Sequence, residues 1–260
     1  MNLALNPYCG VGPGPAELWS RWNLDPVLIA VLAGAAILYA ARGMRSTKAE
    51  DARSACFAAG LAVLAIAFIS PLCALSSALF AARAAHHVLI MSVAAPLVAA
   101  AWRRPRRGLP LLPATLLQIV VLWVWHAPPA YAFALSGPAA YWLMELSFGA
   151  AAWFFWSAAL QPRANPAAVI MAMALMMAQM GLLGAILTGA ADPLYAPHLT
   201  TTLAWGLSPV EDQQAAGVIM WTLGALPYLA AALICAGRRL PATAPVSGRA
   251  GSAVPARAPR

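Results

Sequence analysis

Four histidines, eight carboxylates and ten methionines are the side chains in this 260-residue sequence best suited to site chemistry, and their spacing sorts them. His86 and His87 are adjacent, so on a regular helix they point about 100° apart and cannot grip one ion together. Arg83, His87 and Met91 step by four and share a face. Met173, Met176, Met177 and Met180 fall at i, i+3, i+4 and i+7, which makes one continuous thioether face. Imidazole and thioether are ligands that suit cuprous copper. His87, His126, Met91 and Met180 are therefore the candidate metal ligands. Around them stand Arg83, His86, Glu145, His198, Glu211, Asp212 and Gln213, a polar cluster at one membrane face. Each also has a plainer reading. The methionines could fill gaps between helices. Glu145 could pair with Arg83, each satisfying the other without a metal. His86 reads as an interfacial residue, His126 as a helix-end hydrogen bonder and His198 as a loop histidine.

The elements that must position these groups are membrane spans. The chain is 62% hydrophobic and 9% charged, against about 25% charge in soluble domains. It reads as an all-α, polytopic transmembrane helix bundle of about seven spans, each near the length needed to cross ~30 Å of hydrocarbon. Their expected limits are 24–41, 55–75, 84–102, 109–125, 140–160, 167–187 and 215–236. Pro128 and Pro129 close the fourth just after His126. SSALFAARAA reads as a short amphipathic link ahead of the third.

Arginine-rich short loops stay on the cytoplasmic side. With the N-terminus outside and the C-terminus inside, fourteen of the 16 basic residues fall inside, among them Arg103, Arg104, Arg106 and Arg107, and only Arg21 and Arg83 fall outside. That orientation places all four histidines at the outer face. Residues 1–23 form an external N-terminal segment, 24–237 the seven-span domain, and 238–260 a basic cytoplasmic tail whose Pro/Ala/Ser/Gly/Arg composition predicts disorder. The net charge of +8 is spread over loops and does not form a stripe for nucleic acid. The first 22 residues contain no basic leader followed by an apolar run, so the first span is expected to remain in the mature protein.

No nucleophile elbow, HExxH, Walker loop or glycine fingerprint occurs, so nothing points to an enzyme. A retinal-type receptor needs a lysine inside a span, and the single lysine is Lys48, in a loop. The four cysteines lack CxxC spacing. Cys9 and Cys73 lie outside, where a disulfide is permitted, but unpaired thiols are the expectation.

The segments AAHHVLIMSVAAPL (84–97), LWVWHAPPAYAFAL (122–135), MGLLGAILT (180–188), DPLY (192–195) and WGLSPVEDQQAAGVIMW (205–221) carry a family resemblance. In the same order, from about Pro71 to Tyr228, the chain resembles the polytopic CtaG family of cytochrome c oxidase assembly factors. The resemblance implies a multi-pass protein of the bacterial inner (plasma) membrane that helps mature a haem–copper oxidase, with copper handled at the outer face. It implies oxidase subunits or other assembly factors as partners, besides the lipid bilayer, and no enzymatic activity. His87, His126, Asp212 and Gln213 match the family's recurring polar residues. Many relatives carry histidine where this chain has Arg83, and another beside the position of Glu145, where it has Leu146. A copper or small-solute permease would need a polar path through the whole thickness, whereas the inner halves are apolar apart from methionines and Gln118. A scaffold without metal would need no polar cluster.

Overall fold

The computed structural model describes residues 6–42, 47–102 and 109–237, and all regular structure in them is helical. The arginine run 103–107 and the tail 238–260 lie outside the described residues. Helix α1 spans Pro26–Ala40, α2 Lys48–Ile69, α3 Leu72–Ala78, α4 Phe80–Ala101, α5 Leu111–His126 and α6 Pro128–Ala134. Helices α7 (Pro138–Ala159), α8 (Pro166–Gly189), α9 (Pro209–Trp221) and α10 (Leu226–Gly237) follow. By length and composition α2, α4, α8 and the α9–α10 pair can each cross a membrane, and α5 with α6 makes a fifth candidate bent by 82°. Helix α1 has only 15 residues, and α7 breaks its apolar run with Tyr141, Trp142 and Glu145.

Local chemistry sets most helix ends. Asp25 caps α1 by accepting from the Val27 N–H at 2.8 Å, with Pro26 in the first position, where its missing donor costs nothing. Ser70 is extended ahead of Pro71, so α2 stops there and not at Leu75. The expected link SSALFAARAA is helical on both sides of Leu79, which alone is extended (φ −122°, ψ 132°). Arg83 thus lies within α4. The last span starts earlier than expected, at Pro209 behind a Ser208–Glu211 capping box, and is interrupted between Trp221 and Leu226.

Helix α4 is the centre of the bundle, packed against α2, α3, α7 and α9. It contains a π-helical turn over Leu89–Ala94, and Pro96 accounts for it. A proline has no N–H to give and its ring collides with the carbonyl four residues back, so the wider turn accommodates it. The Met91 carbonyl then accepts from Trp156 Nε1 at 3.0 Å. Helices α8 and α9 meet at a close approach, where a Cβ on Gly184 would stand 2.7 Å from the Gly217 carbonyl oxygen.

The N-terminal segment lies across one end of the bundle. Contrary to expectation, Cys9 and Cys73 form a disulfide, their Cα atoms 5.3 Å apart. Neighbouring contacts hold the two strands of chain in place for it. The Tyr8 hydroxyl donates to Asp25 at 2.6 Å, the Tyr8 ring stacks on Tyr141 at 5.1 Å, and Trp205 Nε1 donates to the Pro13 carbonyl.

Candidate functional site

Beneath that segment, one carboxylate oxygen organises a buried polar node. Glu145 Oε1, on α7, lies 3.3 Å from Arg83 Nη1, 3.3 Å from His87 Nε2 and 3.6 Å from His86 Nδ1, all three from α4. The Arg83 guanidinium sits over the Tyr141 ring at 5.2 Å, and His86 meets Phe68 of α2 edge-on at 4.9 Å. All four charged or imidazole side chains are buried. His86 is therefore not interfacial: α2 and α7 enclose it. Although the two histidines leave the helix in different directions, both reach the carboxylate. His86, His87 and Glu145 present donor atoms within 4.8 Å of one another. A cation there would stand beside the Arg83 guanidinium, and like charges at such distances in a medium of low dielectric repel strongly. The carboxylate already has its cation in Arg83.

His87 also lines a second feature, a cavity of about 10 Å³ between α4, α5, α8 and α9. Its wall is made by His87, His126, Met91, Met180, Met220 and Ser92, with apolar neighbours. That is room for about a single water or ion. All four residues expected as metal ligands are brought together here, joined by Met220. Regular i, i+4 spacing is not what places Met91, because the π turn begins between it and His87.

Hydrogen bonding fixes the imidazoles. The Leu122 carbonyl, 2.7 Å from His126 Nδ1, can only accept, so Nδ1 carries the proton and Nε2 keeps its lone pair. His126 thus makes the helix-end bond expected of it at the end of α5. For His87, Nε2 faces the carboxylate and Nδ1 is buried without a partner. A donor on the Glu145 side leaves the Nδ1 lone pair free. Metal-binding histidines are held in this way, one nitrogen anchored to a carboxylate or carbonyl and the other open. Met180 is pressed against Gly224, where any Cβ would overlap its terminal methyl, and Met173 and Met176 continue the same buried face below it. Met177 is only partly buried and Met171 is exposed.

The remaining residues of the expected cluster serve the scaffold. Asp212 is fully buried and accepts from the backbone N–H groups of Phe80 (2.7 Å) and Ala81 (3.0 Å), capping α4 from another helix. Leu79, at the position where a cap belongs, has no side chain able to do this. Gln213 accepts from the Leu194 N–H and donates to the Leu187 carbonyl, tying the 190–208 segment to α8. Glu211 is exposed in its capping box. His198 is no plain loop histidine: it is buried, its Nδ1 lies 3.2 Å from the Ala78 carbonyl, and the Tyr131 hydroxyl lies 2.6 Å from its Nε2. The carbonyl fixes the proton on Nδ1, so Tyr131 donates to Nε2. Burial draws the His198 pKa from 6.5 to about 4. Leu146, where relatives resembling this chain carry histidine, is 64% exposed, so an imidazole there would face away from the cavity.

No curated protein and no solved structure matches the chain. The model of one family, described as cytochrome c oxidase caa3 assembly factor, matches residues 35–240. That span contains the Glu145 node and the whole cavity wall. With apolar helices able to cross a membrane and the family match covering most of its length, the chain is a membrane protein that belongs to the cytochrome c oxidase caa3 assembly factor (Caa3_CtaG) family.

Proposed function

We propose that this assembly factor holds a cuprous ion in transit to a haem–copper oxidase and releases it to an oxidase subunit or another assembly factor, without itself being an enzyme. The observation that carries the reading is the cavity: two imidazoles with open nitrogens and three thioethers converge on a space for one ion. Soft neutral ligands select Cu(I) over harder divalent ions. His87 Nδ1 and His126 Nε2 are the nitrogen donors, and Met91, Met180 and Met220 the sulfur donors. Arg83 does not oppose this, because its charge is paired with that of Glu145, which His87 meets through Nε2.

The proposed placement is the inner (plasma) membrane with seven crossings: α1, α2, α4, α5, α7, α8 and the α9–α10 pair. The N-terminal segment is outside and the basic tail cytoplasmic, following the distribution of arginine and lysine. The site then opens toward the outer face. The Cys9–Cys73 disulfide supports that side, since disulfides persist in oxidising compartments.

A second reading has its own observation. The Arg83 and Glu145 charges neutralise each other without a metal, so the polar residues could serve a scaffold that only holds an oxidase subunit. Silver(I) binding to the purified full chain, with silver as a redox-inert stand-in for Cu(I), separates the two. His126→Ala is expected to lose at least tenfold in affinity while melting within a few degrees of the parent protein. Deletion of the protein should abolish oxidase activity, and added copper should restore part of it. Equal silver affinity in the parent, His87→Ala and His126→Ala proteins leaves the scaffold reading.

A further inference from the structure

Met173, Met176 and Met180 are buried on one face of α8, and the two ends of that row line different cavities. Met180 belongs to the small cavity with His87 and His126. Met173 lines a second one, of about 540 Å³, between α8, α10 and the α7–α8 connection. Gln161 and Pro162, just past the C-terminus of α7, place this second cavity at the end of the bundle away from Glu145 and the histidines. Cys235 of α10, a free thiol whose Sγ lies 3.9 Å from the Pro166 carbonyl oxygen, also lines it. One end of the row thus offers imidazole and thioether, the other thiol and thioether. Met176 stands between them and lines neither cavity.

We infer that this row is a path along which a soft monovalent d10 cation passes between the two cavities, so that the protein carries the ion through the bundle as well as holding it. The inference rests on the copper reading of the first cavity. Steps of three and four residues advance roughly 4.5 and 6 Å along a helix, and side chains so spaced are neighbours. The unbranched methionine side chain has three rotatable bonds, so one thioether can take up the ion before the previous one lets go. A bare cation in a medium of low dielectric is costly unless ligands accompany it at every step. Thioethers do this for cuprous copper, whereas hard ions require oxygen ligands, and neither cavity has a carboxylate in its lining. The apolar half of the bundle therefore bars ordinary solutes and not an ion that prefers sulfur to water. The last span makes room beside the row: it is interrupted between Trp221 and Leu226, and Gly224 in that interval has no Cβ to displace the Met180 methyl.

The test uses the full chain in phosphatidylcholine vesicles that enclose glutathione as a trap, with silver nitrate added outside. Silver retained by the washed vesicles is expected to exceed the amount of protein present and to exceed that in protein-free vesicles at least tenfold. Met176→Leu keeps the volume and removes the sulfur, a change that cores tolerate. It should lower the initial uptake rate at least tenfold while silver affinity at the first cavity stays within twofold of the parent's. Met173→Leu is the second such variant should the first not fold. Uptake by these variants at the parent's rate overturns the inference. Silver bound by the parent protein but not carried also overturns it and leaves the copper reading standing; silver neither bound nor carried overturns both.

Discussion

The two sides of His87 differ more than any two ends of the molecule. Toward α7 the imidazole meets a carboxylate, a guanidinium and a second histidine; toward α5, α8 and α9 it meets thioethers, an imidazole and almost no other polar group. One ring thus joins a hard, charge-balanced node to a soft, neutral pocket. The contrast explains how a buried charge pair and the proposed cation site could coexist in one bundle: the charges cancel on one side, and the side chains on the other are all uncharged.

Removing the carboxylate should break that arrangement most severely. Glu145→Ala strands the fully buried Arg83 charge, and loss of one partner of a buried pair costs roughly 3 to 5 kcal/mol. The expected result is a strong drop in melting temperature and in accumulation in the membrane, with silver affinity reduced as well because His87 loses its anchor. If Glu145→Ala melts like the parent protein, the node is not what holds α4 to α7.

Acid should be the next largest perturbation, and it acts away from both sides. His198 is neutral in the fold, with its pKa drawn down to about 4, and an unfolded histidine titrates near 6.5. Between those values the unfolded chain binds the additional proton, so stability rises with pH. The contribution is fully present above about 6.5 and is lost as pH falls toward 4, at up to about 1.4 kcal/mol per pH unit. Melting temperatures of the parent and His198→Gln proteins across that window check it, since the variant should lack this slope.

A subtler effect is expected at the start of α4. Asp212→Ala removes the carboxylate that accepts from two backbone N–H groups at a buried helix terminus, a loss of about 1 to 2 kcal/mol, while Glu211→Ala, one residue away but exposed, should cost less. Hydrogen exchange at Phe80 and Ala81 distinguishes them: it should accelerate in the first variant and not in the second.

Much of the soft side could be read from the chain before any coordinates. With arginine placement predicting all four histidines at one face, His87, His126, Met91 and Met180 were the candidate soft ligands at a common depth, and they line one cavity. Met220 escaped assignment because a single methionine in an apolar helix has no pattern to mark it. The hard side was legible only in part. The Arg83–Glu145 pair could be anticipated from two ionisable groups near one depth, but the burial of His86 depends on how α2 and α7 close over it. Pairing of Cys9 with Cys73, the grip of Asp212 on Phe80 and the seat of His198 beneath Ala78 are contacts between distant stretches of chain. Periodicity is silent about those. Pro96 was the overlooked signal, for a proline inside a span announces a break in regular winding.

That π turn puts the two halves of α4 out of phase. A π turn takes in about one residue more than an α turn, so everything after Ala94 is rotated by about 100° from where uniform winding would carry it. The half before the turn can direct Arg83 and His87 into the bundle while the half after it independently directs Ala95 and Ala99 at its neighbours. Shortening the turn by one residue would restore uniform winding, and the helix could then satisfy only one half's partners at a time.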